Sequence, residues 1–137
     1  MATMSFKELE LKADADKLDE ALDFVNSELE RNNYPADLQS NIDVAVEEVF
    51  LNIAHYAYKP ESGNVTLGIA VDREIFIKFE DSGKPYNPLD KSEPDLDKPL
   101  IEREIGGLGI FLVRKLMDGI HYSRLKDKNV LIISKKM

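Results

Sequence analysis

The sequence predicts an α+β domain of two layers, with helices on one face of a mixed, mostly antiparallel sheet. Three observations lead there. Stretches of period two and stretches of period near 3.6 follow one another in the order β-α-α-β-β-loop-α-β-β. Neighbouring strand-like stretches are separated by only a few residues, short enough for hairpin turns. The longest helical stretch, Asn41–Tyr58, carries a single apolar stripe, which asks for one covered face.

Each element has its own warrant. Phe6, Leu9 and Leu11 alternate with charges across Phe6–Ala13, a strand with one imperfect step. Asp14 or Asp16 then offers an N-cap to a helix through Leu18, Ala21, Leu22, Val25 and Leu29, which ends near Arg31-Asn32-Asn33. Pro35 suits the first turn of the next helix, the Asn41–Tyr58 element or a lead-in to it. In that helix Ile42, Val46, Val49, Ile53 and Ala57 form the apolar stripe, widened by Ala45 and Phe50. Glu48, Asn52 and His55 stack on a separate line along its edge. Pro60, Ser62 and Gly63 stop the helix. Val65–Val71 and Glu74–Glu80 are strands joined by a turn at Asp72-Arg73. Gly83–Arg103, rich in proline and charge, reads as one long functional or disordered loop. Gly106-Gly107-Leu108-Gly109 follows, then a helix over Ile110–Asp118 with Gly119 as its C′ residue. Ile120–Leu125 and Val130–Ser134 close the chain as a hairpin around Asp127-Lys128-Asn129.

Composition narrows the function. The 137 residues fit one domain with one core, so residues 1–137 are expected to be a single unit. Lys and Arg number 18 against 26 Asp and Glu, a net charge of -8, and no basic block is long enough for a nucleic-acid footprint. The absence of cysteine excludes a disulfide framework and a thiol zinc site. There is no apolar run of membrane-spanning length and no signal-peptide core, so the expected location is cytoplasmic.

Three short motifs carry chemistry. Glu48-x-x-x-Asn52 places a carboxylate and a carboxamide at the rim of a cleft, where they could meet a metal or phosphate. Asp81-Ser82-Gly83-Lys84-Pro85 ends a strand with a carboxylate able to accept from an exocyclic amine, and Gly83 would let a flat ring approach the backbone. Gly106-Gly107-Leu108-Gly109 opens a helix with amides that could cradle phosphate. Each motif alone reads as an ordinary helix surface, a turn and a loop end. Neither the P-loop spacing nor G-x-G-x-x-G after a first strand is present.

Taken together and in order, Glu48…Asn52, Asp81-x-Gly83 and Gly107-x-Gly109 resemble the N, G1 and G2 boxes of the Bergerat (GHKL) ATP-binding fold. The resemblance runs from about Asp37 to Ser134 and is closest to the anti-sigma-factor serine/threonine kinase branch, with His55 one step early for that branch's N-box. It implies ATP and Mg²⁺ as cofactors. Asn52 would carry the metal, Glu48 would be the general base, and Asp81 with Gly83 would bind adenine. Gly107, Leu108 and Gly109 would hold the phosphates, the Gly83–Arg103 loop would be a lid, and Arg103 would reach the γ-phosphate. Glu47, pointing about 100° away, is the rival base.

The implied activity is an ATP-dependent serine/threonine protein kinase that is also an anti-sigma factor and phosphorylates a STAS-type anti-anti-sigma partner. A homodimer is implied as well, with no direct contact to nucleic acid or membrane. A non-catalytic ATP-binding module that sequesters a regulatory partner is the alternative. Glu48 favours the kinase, because binding alone needs no base there.

Overall fold

The computed structural model describes residues 5–58, 61–90 and 107–136. The strands are β1 (Lys7–Lys12), β2 (Asn64–Val71), β3 (Glu74–Asp81), β4 (Gly119–Leu125) and β5 (Lys128–Lys136). The helices are α1 (Leu18–Arg31), α2 (Ala36–Tyr56) and α3 (Gly107–Leu116). Single 3₁₀ turns lie at Ala15–Lys17 and Pro88–Asp90. The strands lie in the order β1-β2-β3-β5-β4, and all four pairings are antiparallel, so the expected sheet takes its purely antiparallel form.

Alternation decides which face the helices cover. Val65, Leu67 and Ile69 of β2, Ile75, Ile77 and Phe79 of β3, and Leu131 and Ile133 of β5 point to one side and are buried. They meet Ala21, Val25 and Leu29 of α1, five buried residues of α2 from Ile42 to Phe50, and Val113 of α3. The opposite face stays polar enough for water, with Lys78 paired to Glu8 at 2.9 Å. The imperfect step at Phe6 is a change of face. Its ring lies 4.6 Å beneath the Lys78 ammonium and against Gly68, on the side away from the helices.

Local chemistry sets most boundaries. Asp14 caps the turn before α1, accepting from the Asp16 amide at 2.9 Å. Asn33 takes φ 56 after α1, a left-handed stop for which Asn is suited. Pro35 takes the cap position of α2, not its first turn, and the helix starts at Ala36, so the lead-in and the element expected from Asn41 are one helix.

Three expected boundaries need correction. Gly119 is not the C′ residue of a helix, for α3 ends at Leu116 and Gly119 opens β4. The Asp118 amide already donates to Ser134 O at 2.9 Å, which starts the sheet there. The last turn is Lys126-Asp127, with φ 51 and 65, the two left-handed residues of a type I′ hairpin. Lys128 and Asn129 therefore belong to β5 and not to the turn. The third helix starts at Gly107 and ends at Leu116, where Ile110–Asp118 was expected, because the glycines form its first turn.

Candidate functional site

An apolar cleft opens between α2 and the end of the sheet. Val49, Ile53, Tyr56 and Ala57 of the α2 segment form one wall, and Phe79, Leu131 and Tyr122 of the sheet form the floor. Tyr86 and Pro88 stand at the far side, and the space is about 410 Å³ with its mouth included. Three polar side chains face this lining: Asn52, Asp81 and Asn129. A largely apolar pocket with a few convergent polar groups is the usual form of a small-molecule site.

Asp81 ends β3 and is only 6% exposed. Its Oδ1 accepts from the Gly83 amide at 2.9 Å and from Asn129 Nδ2 at 3.0 Å. Sheet pairing sets Asp81 directly opposite Asn129 of β5. The Asn129 Nδ2 also donates to Lys84 O at 2.9 Å, while its Oδ1 accepts from the Tyr122 hydroxyl and from the Tyr86 amide at 3.4 Å. Arg124 Nη1 holds Gly83 O at 2.8 Å, and Arg114 Nη2 holds Leu89 O at 3.1 Å. The first part of the expected lid, up to the 3₁₀ turn, is therefore anchored to β4, β5 and α3. Positions 91–106 of that loop, Arg103 and Gly106 among them, lie outside the described residues.

Gly83 has a different local reason from the one its sequence context offered. A Cβ there would sit 2.3 Å from Ala57 O and 2.7 Å from Ala57 C. The chain passes so close because Lys84 N donates to Ala57 O at 3.1 Å. Tyr58 adds a second stitch: its hydroxyl accepts from Ser82 N at 2.8 Å and donates to Asn64 O at 2.6 Å. Burial raises the Tyr58 phenol pKa, and the hydrogen bond from Ser82 works against that.

Outside this lining, one turn before Asn52 on α2, Glu48 reaches α3. A Cβ on Gly109 would lie 2.5 Å from Glu48 Oε2, so the carboxylate rests on the glycine itself. Gly107, Leu108 and Gly109 form the first turn of α3, whose amides have no partner inside the helix. That turn also carries the positive end of the helix dipole, a natural seat for an anion. Burial pushes the Glu48 carboxyl above its usual range, and the neighbouring Glu47 carboxylate adds to the shift. One turn further along α2, Asn52 Oδ1 is buried with no hydrogen-bond partner among the described residues. An orphan oxygen on a cleft wall is what an oxygen-seeking cation such as Mg²⁺ would need.

The structure thus brings Glu48 to Gly109 and puts Asn52 and Asp81 on one cleft. His55, from the same polar line, is exposed and packs edge-on against Tyr56. Sequence reasoning missed Asn129, Tyr122, Tyr58 and Arg124. The alternation of Val130–Ser134, extended back by one step, was the available signal for Asn129 facing the cleft.

An antiparallel five-stranded sheet under helices, with this cleft at its end, is a GHKL-type (Bergerat) domain. The chain belongs to the histidine kinase-like ATPase domain family, which it matches over residues 11–135. It is 27% identical over 129 residues to the serine/threonine-protein kinase BtrW of Bordetella bronchiseptica, across 92% of this chain and 90% of that one. It is 31% identical over 108 residues to the serine-protein kinase RsbW of Bacillus mycoides, across 74% of this chain and 67% of the relative. Among solved structures, the histidine kinase domain of the Erythrobacter litoralis EL346 blue-light activated histidine kinase superposes with a TM-score of 0.53 at 21% identity. That match covers 75% of this chain and 46% of the other, and it speaks for the fold.

Proposed function

We propose that residues 1–137 form one ATP-binding domain that acts as a serine/threonine protein kinase and anti-sigma regulator. Its phosphate acceptor in this reading is a STAS-type anti-anti-sigma protein, its sequestered partner a sigma factor, and its working form a homodimer. The observation that carries the kinase is the contact of Glu48 Oε2 with Gly109, a carboxylate held beside an anion-seeking helix start. The named kinases among its relatives support the same reading.

The chain's own groups then divide the work. Asp81 accepts from the adenine amino group, inside largely apolar walls. The first-turn amides of α3 hold the phosphates. Asn52 Oδ1 would hold Mg²⁺, which when bound neutralises charge building on the phosphates. Glu48 takes the proton of the attacking Ser or Thr hydroxyl as its oxygen bonds to the γ-phosphorus. The bond from that phosphorus to the bridging oxygen breaks, and ADP leaves. A carboxyl with a raised pKa is the better base for this step.

The test is transfer from γ-labelled ATP to a candidate STAS partner by Glu48→Gln and Glu47→Gln variants. Glu48→Gln should keep ATP·Mg binding and lose about two to four orders of magnitude in transfer, the range for a positioned general base. Glu47→Gln should lose far less. Wild-type transfer by Glu48→Gln would remove Glu48 from the base's role. A wild-type protein that binds the partner and transfers nothing is a sequestering module instead.

A further inference from the structure

Asn129 is buried, 6% exposed, and none of the three motifs includes it. Its four hydrogen bonds leave its amide only one orientation. The Tyr86 N–H can only donate, so Oδ1 must face it. Lys84 O and the Asp81 carboxylate can only accept, so Nδ2 must face them. The Tyr122 hydroxyl completes the oxygen side. Reversing the amide would set two acceptors against its oxygen and one N–H against its NH₂ group.

This fixed amide acts on Asp81. Two donors converge on Asp81 Oδ1, the Gly83 amide at 2.9 Å and Asn129 Nδ2 at 3.0 Å. Oδ2 takes no hydrogen bond from the described residues. The carboxylate therefore has one oxygen tied to the protein and one left for a ligand.

We propose that Asn129 is a positioning residue for nucleobase selection: it holds Asp81 in one orientation, so that the Asp81 carboxylate offers a purine one acceptor and no donor. This rests on the reading of the cleft as an adenine nucleotide site. Such a site takes a 6-amino purine and turns away a 6-keto purine, whose carbonyl would face a carboxylate. Selectivity then belongs to the pair and not to Asp81 alone.

The pair makes an unusual demand on Asp81→Asn. The Gly83 N–H and Asn129 Nδ2 both require an oxygen at the tied position. The new amide must put its oxygen there and its NH₂ group toward the ligand. An amide free to rotate would instead turn its oxygen to adenine.

The experiment is calorimetric binding of ADP and IDP, which differ in the amino or keto group at position 6 and the protonation of N1. Wild type should favour ADP by about 10- to 100-fold, the range for a hydrogen bond to a charged group. Asp81→Asn should reverse the order and favour IDP severalfold. Asn129→Ala should narrow the wild-type ratio severalfold, whereas a residue with only a structural role would weaken both nucleotides alike and leave the ratio. Melting curves of all three proteins show that each is folded. If wild type favours ADP, yet Asp81→Asn still favours ADP or Asn129→Ala leaves the ratio unchanged, the positioning role is overturned. If wild type binds neither, or both equally, the adenine reading fails first and this inference falls with it.

Discussion

Replacing Gly109 with alanine should make the protein more stable and a worse kinase. Gly109 lies in α3 without a left-handed backbone, so alanine fits the helix. Alanine is favoured over glycine in helices by about 1 kcal/mol. Unfolding entropy near 2.1 cal/mol/K per residue, over 137 residues, turns this into a melting temperature about 3 °C higher. The added Cβ would stand 2.5 Å from Glu48 Oε2 but 3.4 Å from its Cδ, so the overlap is with the end of a flexible side chain. Glu48 can swing clear at little cost in stability, but only by leaving its place by about 1 Å. A misplacement of that size costs about 100-fold in rate. The assay pairs thermal melting with single-turnover transfer at saturating ATP, so that weaker binding does not enter. A variant that melts higher and transfers at the wild-type rate would refute the argument that this contact sets the base. A variant that melts lower would refute the argument that Glu48 gives way.

Four further outcomes follow from the geometry. Transfer should rise with pH through the raised Glu48 value and be lost below it, because only the ionised carboxylate is a base; a flat profile across the acid range would count against Glu48. A carboxyl with a raised folded value costs stability above that value and nothing where both states are protonated. Glu48→Gln should therefore melt higher than wild type at neutral pH, with the gap closing as pH falls through the raised value toward the ordinary one. Asn52→Ala should weaken ATP·Mg binding far more than metal-free ADP binding in calorimetry, with little loss of stability, since the oxygen it removes has no partner among the described residues. Gly83→Ala should cost about 1–3 kcal/mol in denaturant melts, because its Cβ would meet the Ala57 backbone, which cannot swing aside as a side chain can.

The sequence disclosed what is local. Glu48 and Asn52 could be read together because helical spacing puts them on one line, and the glycines before Ile110 announced a helix start. The order of periodicities carried the two-layer fold. What it hid is set by register between distant strands. Asn129 looks like a turn residue, since asparagine is common in turns, and only the pairing of β3 with β5 sets it against Asp81. The role of Gly83 was masked in the same way. Its contact is Ala57, which no pattern of short range connects to it. The turn at Lys126-Asp127 has no glycine or asparagine at its two left-handed positions, so turn chemistry pointed one residue too far along.

The stitching of α2 at Ala57 and its contact at Glu48 make this helix a ruler. Nine residues at about 1.5 Å each set about 13 Å between the end that touches Gly109 and the end that touches Gly83. Removing or adding one residue between them would alter that span by one rise and turn one end about 100° against the other. The two contacts could then not be kept together. Along this stretch the chain can vary its side chains, but its length is held from both ends.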